Sequence, residues 1–237
     1  MTNAKWGIED IPSQEDRIVI VTGASGGLGA ETARILASKG AEVIMAVRDR
    51  KKGETMAAAI RAHMPEAKLN VEDLDLCSLK SVQHFSEKFL DDYDKLDLLI
   101  NNAGVMVCPF ATTQDHFEIQ MGTNHLGHFA LTGHLLEQLK STAGSRVVPI
   151  SSIAHKLGKI NFDDIHWEKR HYNRIKAYCD SKLANLHFAY ELGRKLSERE
   201  SGPLVVPAHP GVCQTELTRH SKTVEIMGKF VAQKQET

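Results

Sequence analysis

Tyr178 and Lys182 stand four residues apart in Tyr178-Cys179-Asp180-Ser181-Lys182. On a helix that spacing is one turn, so the phenol and the ammonium share a face. A cation there favours the phenolate, letting a weak acid exchange protons nearer neutral pH. Far upstream runs Thr22-Gly23-Ala24-Ser25-Gly26-Gly27-Leu28-Gly29. Glycine lets a backbone turn sharply and approach a pyrophosphate, and a helix opening there offers free amides and partial positive charge. The spacing of Gly23, Gly27 and Gly29 is a variant of GxGxxG, with three residues between the first two glycines. Each feature alone has an ordinary reading, a surface pair on a helix or a tight turn. In this order on one chain they describe a dinucleotide site beside a proton-exchanging pair.

These residues need a frame. Residues 17–22 form a β-branched run typical of a buried parallel strand, and the glycine turn follows it. A helix is expected over 31–39, with Ala33, Leu36 and Ala37 on one face and Gly40 as its stop. Residues 41–47 read as a second strand, followed by a helix with Met56, Ala59 and Ile60 that Pro65 closes. A third strand covers 69–74, and Ser78 opens a helix with Leu79, Val82, Phe85 and Phe89 at helical spacing. Strands follow at 96–100, 146–150 and 204–208, with a long helix over 117–139 and another carrying Tyr178. The alternation predicts an α/β fold, a Rossmann-type doubly wound parallel sheet of about six strands with helices on both faces. No linker or repeat divides residues 1–237, so one domain is expected to carry both nucleotide binding and chemistry.

The 237 residues carry 42% hydrophobic and 25% charged side chains, enough for a substantial core. A net charge of −1 points to neither nucleic acid nor an anionic membrane surface. Cys77, Cys108, Cys179 and Cys213 form no CxxC pair, which argues against zinc or disulfides and fits a reducing compartment. The histidines are scattered: His125 and His128 lack an adjacent carboxylate or thiol at ligand spacing, and His166 and His171 flank Trp167 in what reads as a solvated face. No metal is expected. The N-terminus has no stretch of signal or membrane length, so a cytoplasmic protein without a membrane span is expected.

The second strand ends at Val47, where an acid would select NAD by binding the ribose hydroxyls. Arg48 follows and suits a 2′-phosphate, with Arg50, Lys51 and Lys52 adding positive charge. Asp49 keeps NAD open, or caps the next helix. NADP(H) is therefore expected over NAD(H).

The glycine turn, Asn101-Asn102-Ala103-Gly104, Asn124, Ser151-Ser152, Tyr178 with Lys182, and Pro210-Gly211 fall in an order that resembles the short-chain dehydrogenase/reductase family. Asn124-His125-Leu126-Gly127-His128-Phe129 and Ser181-Lys182-Leu183-Ala184-Asn185 resemble its retinol dehydrogenase-like branch. The resemblance runs from about residue 17 to 219. It implies oxidoreduction between an alcohol and a carbonyl on a small, apolar substrate. It implies Tyr178 as general acid/base and Lys182 as the group tuning it and holding the nicotinamide ribose. Ser152, rather than Ser151, would orient the substrate oxygen, and Asn124 would hold a water leading from Lys182 to solvent. Gly23, Ser25, Gly27, Leu28, Gly29, Arg48, Asp75, Asn102, Ala103, Gly104, Pro210, Gly211 and Thr215 would line the cofactor, Asp75 at the adenine and the last three at the nicotinamide end. The plainer alternative for Ser151 and Ser152 is a polar strand end, and for Asn124 a helix-interior hydrogen bond.

Two features depart from the pattern. Pro149 and Pro207 fall inside expected strands, where bulges or unpaired amides are anticipated. Relatives continue past the proline-glycine loop with further helices and a seventh strand, whereas residues 221–237 offer only a short apolar face of Met227, Phe230 and Val231. A sheet lacking its seventh strand is expected, with a homodimer left open and a tetramer surface absent. The competing functions are a non-catalytic nucleotide-binding protein and an inactive truncated remnant of the same fold.

Overall fold

Ile18–Thr22 forms β1, a strand buried on both faces because its side chains feed two separate cores. A computed structural model describes residues 6–197 and 202–211. Val19 and Val21 pack with Ala33 and Ala37 of α1 (Gly27–Ser38) and with Ala57 and Ile60 of α2 (Arg50–His63). Ile20 points the other way, to Phe85 and Phe89 of α3 (Leu79–Asp92) and to Leu131, Leu135 and Leu139. Each such side chain contributes about 1.5–3 kcal/mol on burial. The two-residue period of a strand thus fastens helices to both faces.

The remaining strands are β2 (Glu42–Val47), β3 (Leu69–Asp73), β4 (Leu98–Asn101), β5 (Arg146–Pro149) and β6 (Leu204–Val205). The six lie in the order β3-β2-β1-β4-β5-β6, and every pairing is parallel. This is the doubly wound Rossmann arrangement, with its switch point between β1 and β4. The ends of β1 and β4 therefore open a crevice where the chain reverses its winding.

Local chemistry sets most boundaries. Asp49 caps α2 by accepting the Lys52 amide at 3.1 Å, and Ser78 caps α3 by accepting that of Ser81 at 3.3 Å. The buried face of α2 is Gly53, Ala57 and Ile60; Ala59, expected on it, is exposed. Its Gly53 is tight because a Cβ would stand 2.7 Å from Val71 and 2.8 Å from Val47.

The long helix expected over 117–139 is broken into pieces. A short turn, α4 (Ile119–Met121), runs into a π-helical segment, Gly122–Leu126, then α5 (Gly127–His134) and α6 (Leu136–Ser141). Side-chain periodicity cannot register one extra residue per turn. The glycines bounding the π segment explain it: a Cβ on Gly122 would meet Thr113, and one on Gly127 would lie 2.6 Å from the Leu76 carbonyl. Such turns re-aim side chains, and Asn124 sits in this one.

The two prolines shorten strands instead of bulging them. In β5 the amides of Arg146 and Ile150 donate toward β4, to Asp97 and Asn101. Alternation then points the nitrogen of residue 149 at β6, where proline has no hydrogen to give. Pairing with β6 lapses after Val205 and resumes as a single bridge between Ile150 and Ala208. Pro207 loses nothing toward β5, because the donating amides are those of Leu204, Val206 and Ala208.

The helix α7 (Arg174–Ser197) carries Tyr178. The segment before it is a solvated face only in part: Glu168, Lys169 and His171 are exposed, but Trp167 is not. Trp167 is buried at φ +59, with the Arg170 guanidinium 3.5 Å from its ring centroid and Tyr172 edge-on at 5.5 Å. No helix among the described residues is long and apolar enough to cross a membrane. Thr215, Cys213 and the segment where a seventh strand was sought lie outside the described residues.

Candidate active site

Buried polar groups gather where β1, β4 and β5 end, as the switch point requires. A shallow concavity lined by Glu15, Asp16, Gly40, Glu66 and Lys68 lies before the strands begin, at the opposite end, and has no part in the chemistry below.

The glycine turn is held by contact. Gly23 has φ +70, and a Cβ there would stand 2.9 Å from the Cα of Ala103. A Cβ on Gly29 would strike the Gly23 carbonyl oxygen and lie 2.6 Å from Nδ2 of Asn102. Only hydrogen fits at either place. Gly26, at the N-cap of α1, provides no side-chain cap, and Ser25 and Leu28 lie half-buried beside it. The first amides of α1 therefore face outward, an arrangement that suits a pyrophosphate. Thr22 closes the turn: its Oγ1 accepts the amides of Asn102 and Ala103, both at 2.9 Å, while Nδ2 of Asn102 donates to the Thr22 carbonyl at 2.8 Å. Asn101 donates to Thr132 at 2.9 Å, and its Oδ1 is left buried without a partner. These residues fit a bound dinucleotide.

At the adenosine end, Val47 is buried and ends β2. Arg48 is exposed and has no ion-pair partner among the described residues, whereas Arg50 bonds Asp73 at 3.1 Å. Asp49 is committed to its cap. Asp75 accepts the Cys77 amide at 3.0 Å just past β3.

The proton-handling residues converge from α7, the π segment and the end of β5. Tyr178, Ser181, Lys182 and Asn185 are all buried on one face of α7. Lys182 Nζ donates to the Ile150 carbonyl at 3.0 Å, and Asn185 shares that acceptor at 3.1 Å. Nζ lies 5.9 Å from the Tyr178 ring centroid and 3.7 Å from where a Cβ of Gly104 would stand. Burial pushes the Lys182 ammonium down to about 8. Burial raises the pKa of the Tyr178 phenol, outweighing the opposite influence of the nearby Ser152 hydroxyl. Desolvation is the largest influence on both groups. The two serines divide their tasks. Ser151 donates to the Lys182 carbonyl at 2.8 Å, while Ser152 caps the turn Ile153–Leu157 by accepting the Ala154 amide at 3.2 Å.

Asn124 is fully buried. Its amide donates to the Val105 carbonyl at 3.0 Å and to Ser181 Oγ at 2.9 Å, and its Oδ1 accepts the Val105 amide at 2.8 Å. Ser181 in turn donates to the Tyr178 carbonyl at 2.8 Å. Pro210 and Gly211 (φ +72) are exposed beyond the Ile150–Ala208 bridge.

Sequence reasoning missed a second buried network. Glu118 accepts the Gln120 and Met121 amides at 2.9 and 2.7 Å and the Tyr172 hydroxyl at 2.8 Å. Gln120 accepts the Val107 amide at 2.7 Å and donates to Tyr172 at 2.9 Å. It ties loop 105–118 to loop 161–173. The only signal was a carboxylate one residue before a helix start. His128, four residues past Asn124, was also missed; helical spacing could have found it.

Comparison with known proteins agrees with this architecture. Residues 17–225 match the family model described as short chain dehydrogenase. Human retinol dehydrogenase 13 is 50% identical over 205 residues, covering 86% of this chain and 61% of that protein. Human retinol dehydrogenase 12 is 51% identical over 214 residues, 90% of this chain and 67% of that one. The chain therefore spans less than two thirds of the length of retinol dehydrogenase 13. A crystal structure from Mycobacterium paratuberculosis superposes with a TM-score of 0.80 at 45% identity, covering 96% of this chain and 81% of that one. A Shigella flexneri short chain dehydrogenase complexed with NADP gives 0.72 at 26%, covering 92% and 86%. By sequence over most of its length and by strand order, the chain belongs to the short chain dehydrogenase family, in its retinol dehydrogenase-like branch.

Proposed function

We propose that this chain is an oxidoreductase interconverting an alcohol and a carbonyl, with NADP(H) preferred and a small apolar substrate. The observation that carries the reading is the convergence of Tyr178 and Lys182, both buried on one face of α7, with Ser152 at the adjoining end of β5, at the sheet end where α1 begins without a side-chain cap. The bound nicotinamide would supply or accept the hydride. Gly23, Ser25, Gly27, Leu28 and Gly29 would hold the pyrophosphate, Asp75 the adenine, and Asn102, Ala103 and Gly104 the middle of the cofactor. Pro210, Gly211 and Thr215 would meet its nicotinamide end. Arg48 would pair with the 2′-phosphate, since its guanidinium has no ion-pair partner among the described residues and Asp49 is occupied.

In this reading Tyr178 moves its phenolic proton to or from the substrate oxygen, and Ser152 orients that oxygen. Burial keeps the phenol protonated, the form that donates. Lys182 binds the ribose hydroxyls, and Asn124 keeps the floor of the site fixed through Val105 and Ser181. Exposed Phe110, Ile153, Leu157 and Phe162 on the flanking loops support an apolar substrate. Residues 1–237 would act as one catalytic unit.

The test is NADPH oxidation by the purified chain against a panel of aldehydes and ketones, alongside Tyr178→Phe. The variant should bind NADPH and lose turnover by about a hundredfold or more. A rate above roughly a tenth of wild type would remove Tyr178 from its role. Cofactor binding without any turnover would favour a non-catalytic nucleotide-binding protein.

A further inference from the structure

We infer that His128 is a positioning residue that locks the dinucleotide-binding turn to the proton-donating helix. The inference rests on the activity proposed above. His128 is buried in α5, with Nδ1 3.0 Å from the Asn124 carbonyl oxygen and Nε2 2.8 Å from Thr22 Oγ1. A carbonyl only accepts, so Nδ1 carries a proton. The imidazole is neutral, its pKa pushed down to about 3, chiefly by burial. Nε2 is therefore bare and must accept. Thr22 has one hydroxyl hydrogen, and its oxygen already accepts the amides of Asn102 and Ala103. That hydrogen goes to Nε2, since the alternative acceptor, the Ile100 carbonyl, is 3.4 Å away.

The directions then run one way. The amides of Asn102 and Ala103 donate to Thr22, Thr22 to His128, and His128 to Asn124. The hydrogen-bonded line ends at the Asn124 backbone carbonyl; the Asn124 side chain separately donates to Ser181, which donates to the Tyr178 carbonyl. Bonds aligned head to tail polarise one another. His128 is the one side chain in this line that touches both the glycine-turn layer and the π segment. A residue of another shape could fill the space, but only a group with a donor and an acceptor at this separation can span it. The consequence is a fixed distance between the cofactor cradle and the acid that faces it, with neither half built by His128 alone.

The experiment pairs ¹⁵N NMR of the imidazole with kinetics and NADPH titration. In the wild-type chain the spectrum should show Nδ1 protonated and Nε2 bare from pH 5 to 8. His128→Asn can keep the bond to Asn124 and loses that to Thr22; Thr22→Val loses that bond too, together with the acceptor of the Asn102 and Ala103 amides. His128→Asn should keep NADPH affinity while kcat falls on the order of tenfold to a hundredfold, the scale of a misplacement near 1 Å; Thr22→Val should lower kcat at least as far and weaken NADPH binding as well. The double variant should be no slower than the slower single, and Thr22→Ser should recover the rate. An Nε2-protonated ring, additive losses, or kcat and affinity falling together with melting temperature in His128→Asn would overturn the inference. If the wild-type chain shows no turnover, the proposed activity fails alone. The ring's protonation, and whether Thr22→Val shifts the Asn124 and Ser181 amide resonances, still decide the role of His128.

Discussion

Gly29→Ala separates the requirements of stability from those of ligand binding. The added methyl would strike the Gly23 carbonyl and stand nearly an ångström inside normal contact with Asn102 Nδ2. Neither neighbour can retreat. Gly23 donates its amide to Ala46 at 2.8 Å and lies against Ala103, and Asn102 Nδ2 is held by Thr22. The first turn of α1 must move instead. Alanine recovers about 1 kcal/mol of helix propensity over glycine. Overpacking costs about 1–3 kcal/mol. The net loss is then no more than about 2 kcal/mol, or a melting temperature lower by roughly 4–8 °C. Binding should suffer more, because the amides aimed at a pyrophosphate move together. Losing one charge-assisted bond of about 1.5–3 kcal/mol raises the NADPH dissociation constant roughly tenfold to a hundredfold. Fluorescence titration and thermal melts measure both effects. Gly26→Ala is the control, since its Cβ would meet nothing within 4 Å on extended backbone. A Gly29→Ala chain that binds NADPH and melts like the wild type would refute the close-contact reasoning.

Arg48→Ala should weaken NADPH binding about tenfold to a hundredfold and leave NADH nearly unchanged, by the worth of one guanidinium–phosphate pair; equal losses for both cofactors would return the ribose to Asp49. Lys182→Met should abolish turnover yet stabilise the fold near neutral pH. A lysine lowered from 10.5 to about 8 is a cost carried in full below pH 8 and relieved as pH rises to 10.5. The stability gap between the variant and wild type should therefore start on the order of 3 kcal/mol and close across that window in urea melts; a pH-independent gap would contradict it. Glu118→Gln turns an amide group toward one of the donors that the carboxylate accepts, so a loss of about 1–3 kcal/mol is expected in the same melts.

How far the sequence could be read depended on what each residue reports. Apolar periodicity reports which face is covered, so Ile18–Thr22, Glu42–Val47 and the helix of Val82, Phe85 and Phe89 were legible, and the sheet order followed from alternation. Capping chemistry located Ser78, and Asp49 carried its cap as an alternative. Periodicity says nothing of backbone hydrogen-bond register, so the π segment at Gly122–Leu126 was read through as ordinary helix. Nor does it report the partners of polar side chains. Thr22, Glu118, Gln120 and His128 looked unremarkable because their meaning lies in contacts with residues distant in sequence, up to 106 positions for Thr22 and His128. Trp167 was misjudged for the same reason: its charged neighbours suggested solvent, but Arg170 folds over its ring.

The proline at the end of β5 has a consequence for how the molecule opens. Beyond Val205 the outermost segment is fastened by the Val206 and Ala208 amides and by the Ser151 amide on the Ala208 carbonyl, with no donor from residue 149 between them. Amide exchange should therefore divide the sheet: slow protons across β1, β2 and β4, and a fast-exchanging seam at 206–208 that opens without the rest. That seam leads directly into Pro210 and Gly211. The backbone that enters the proposed nicotinamide end would then be the least protected in the described sheet, opening locally at a free energy below that of global unfolding.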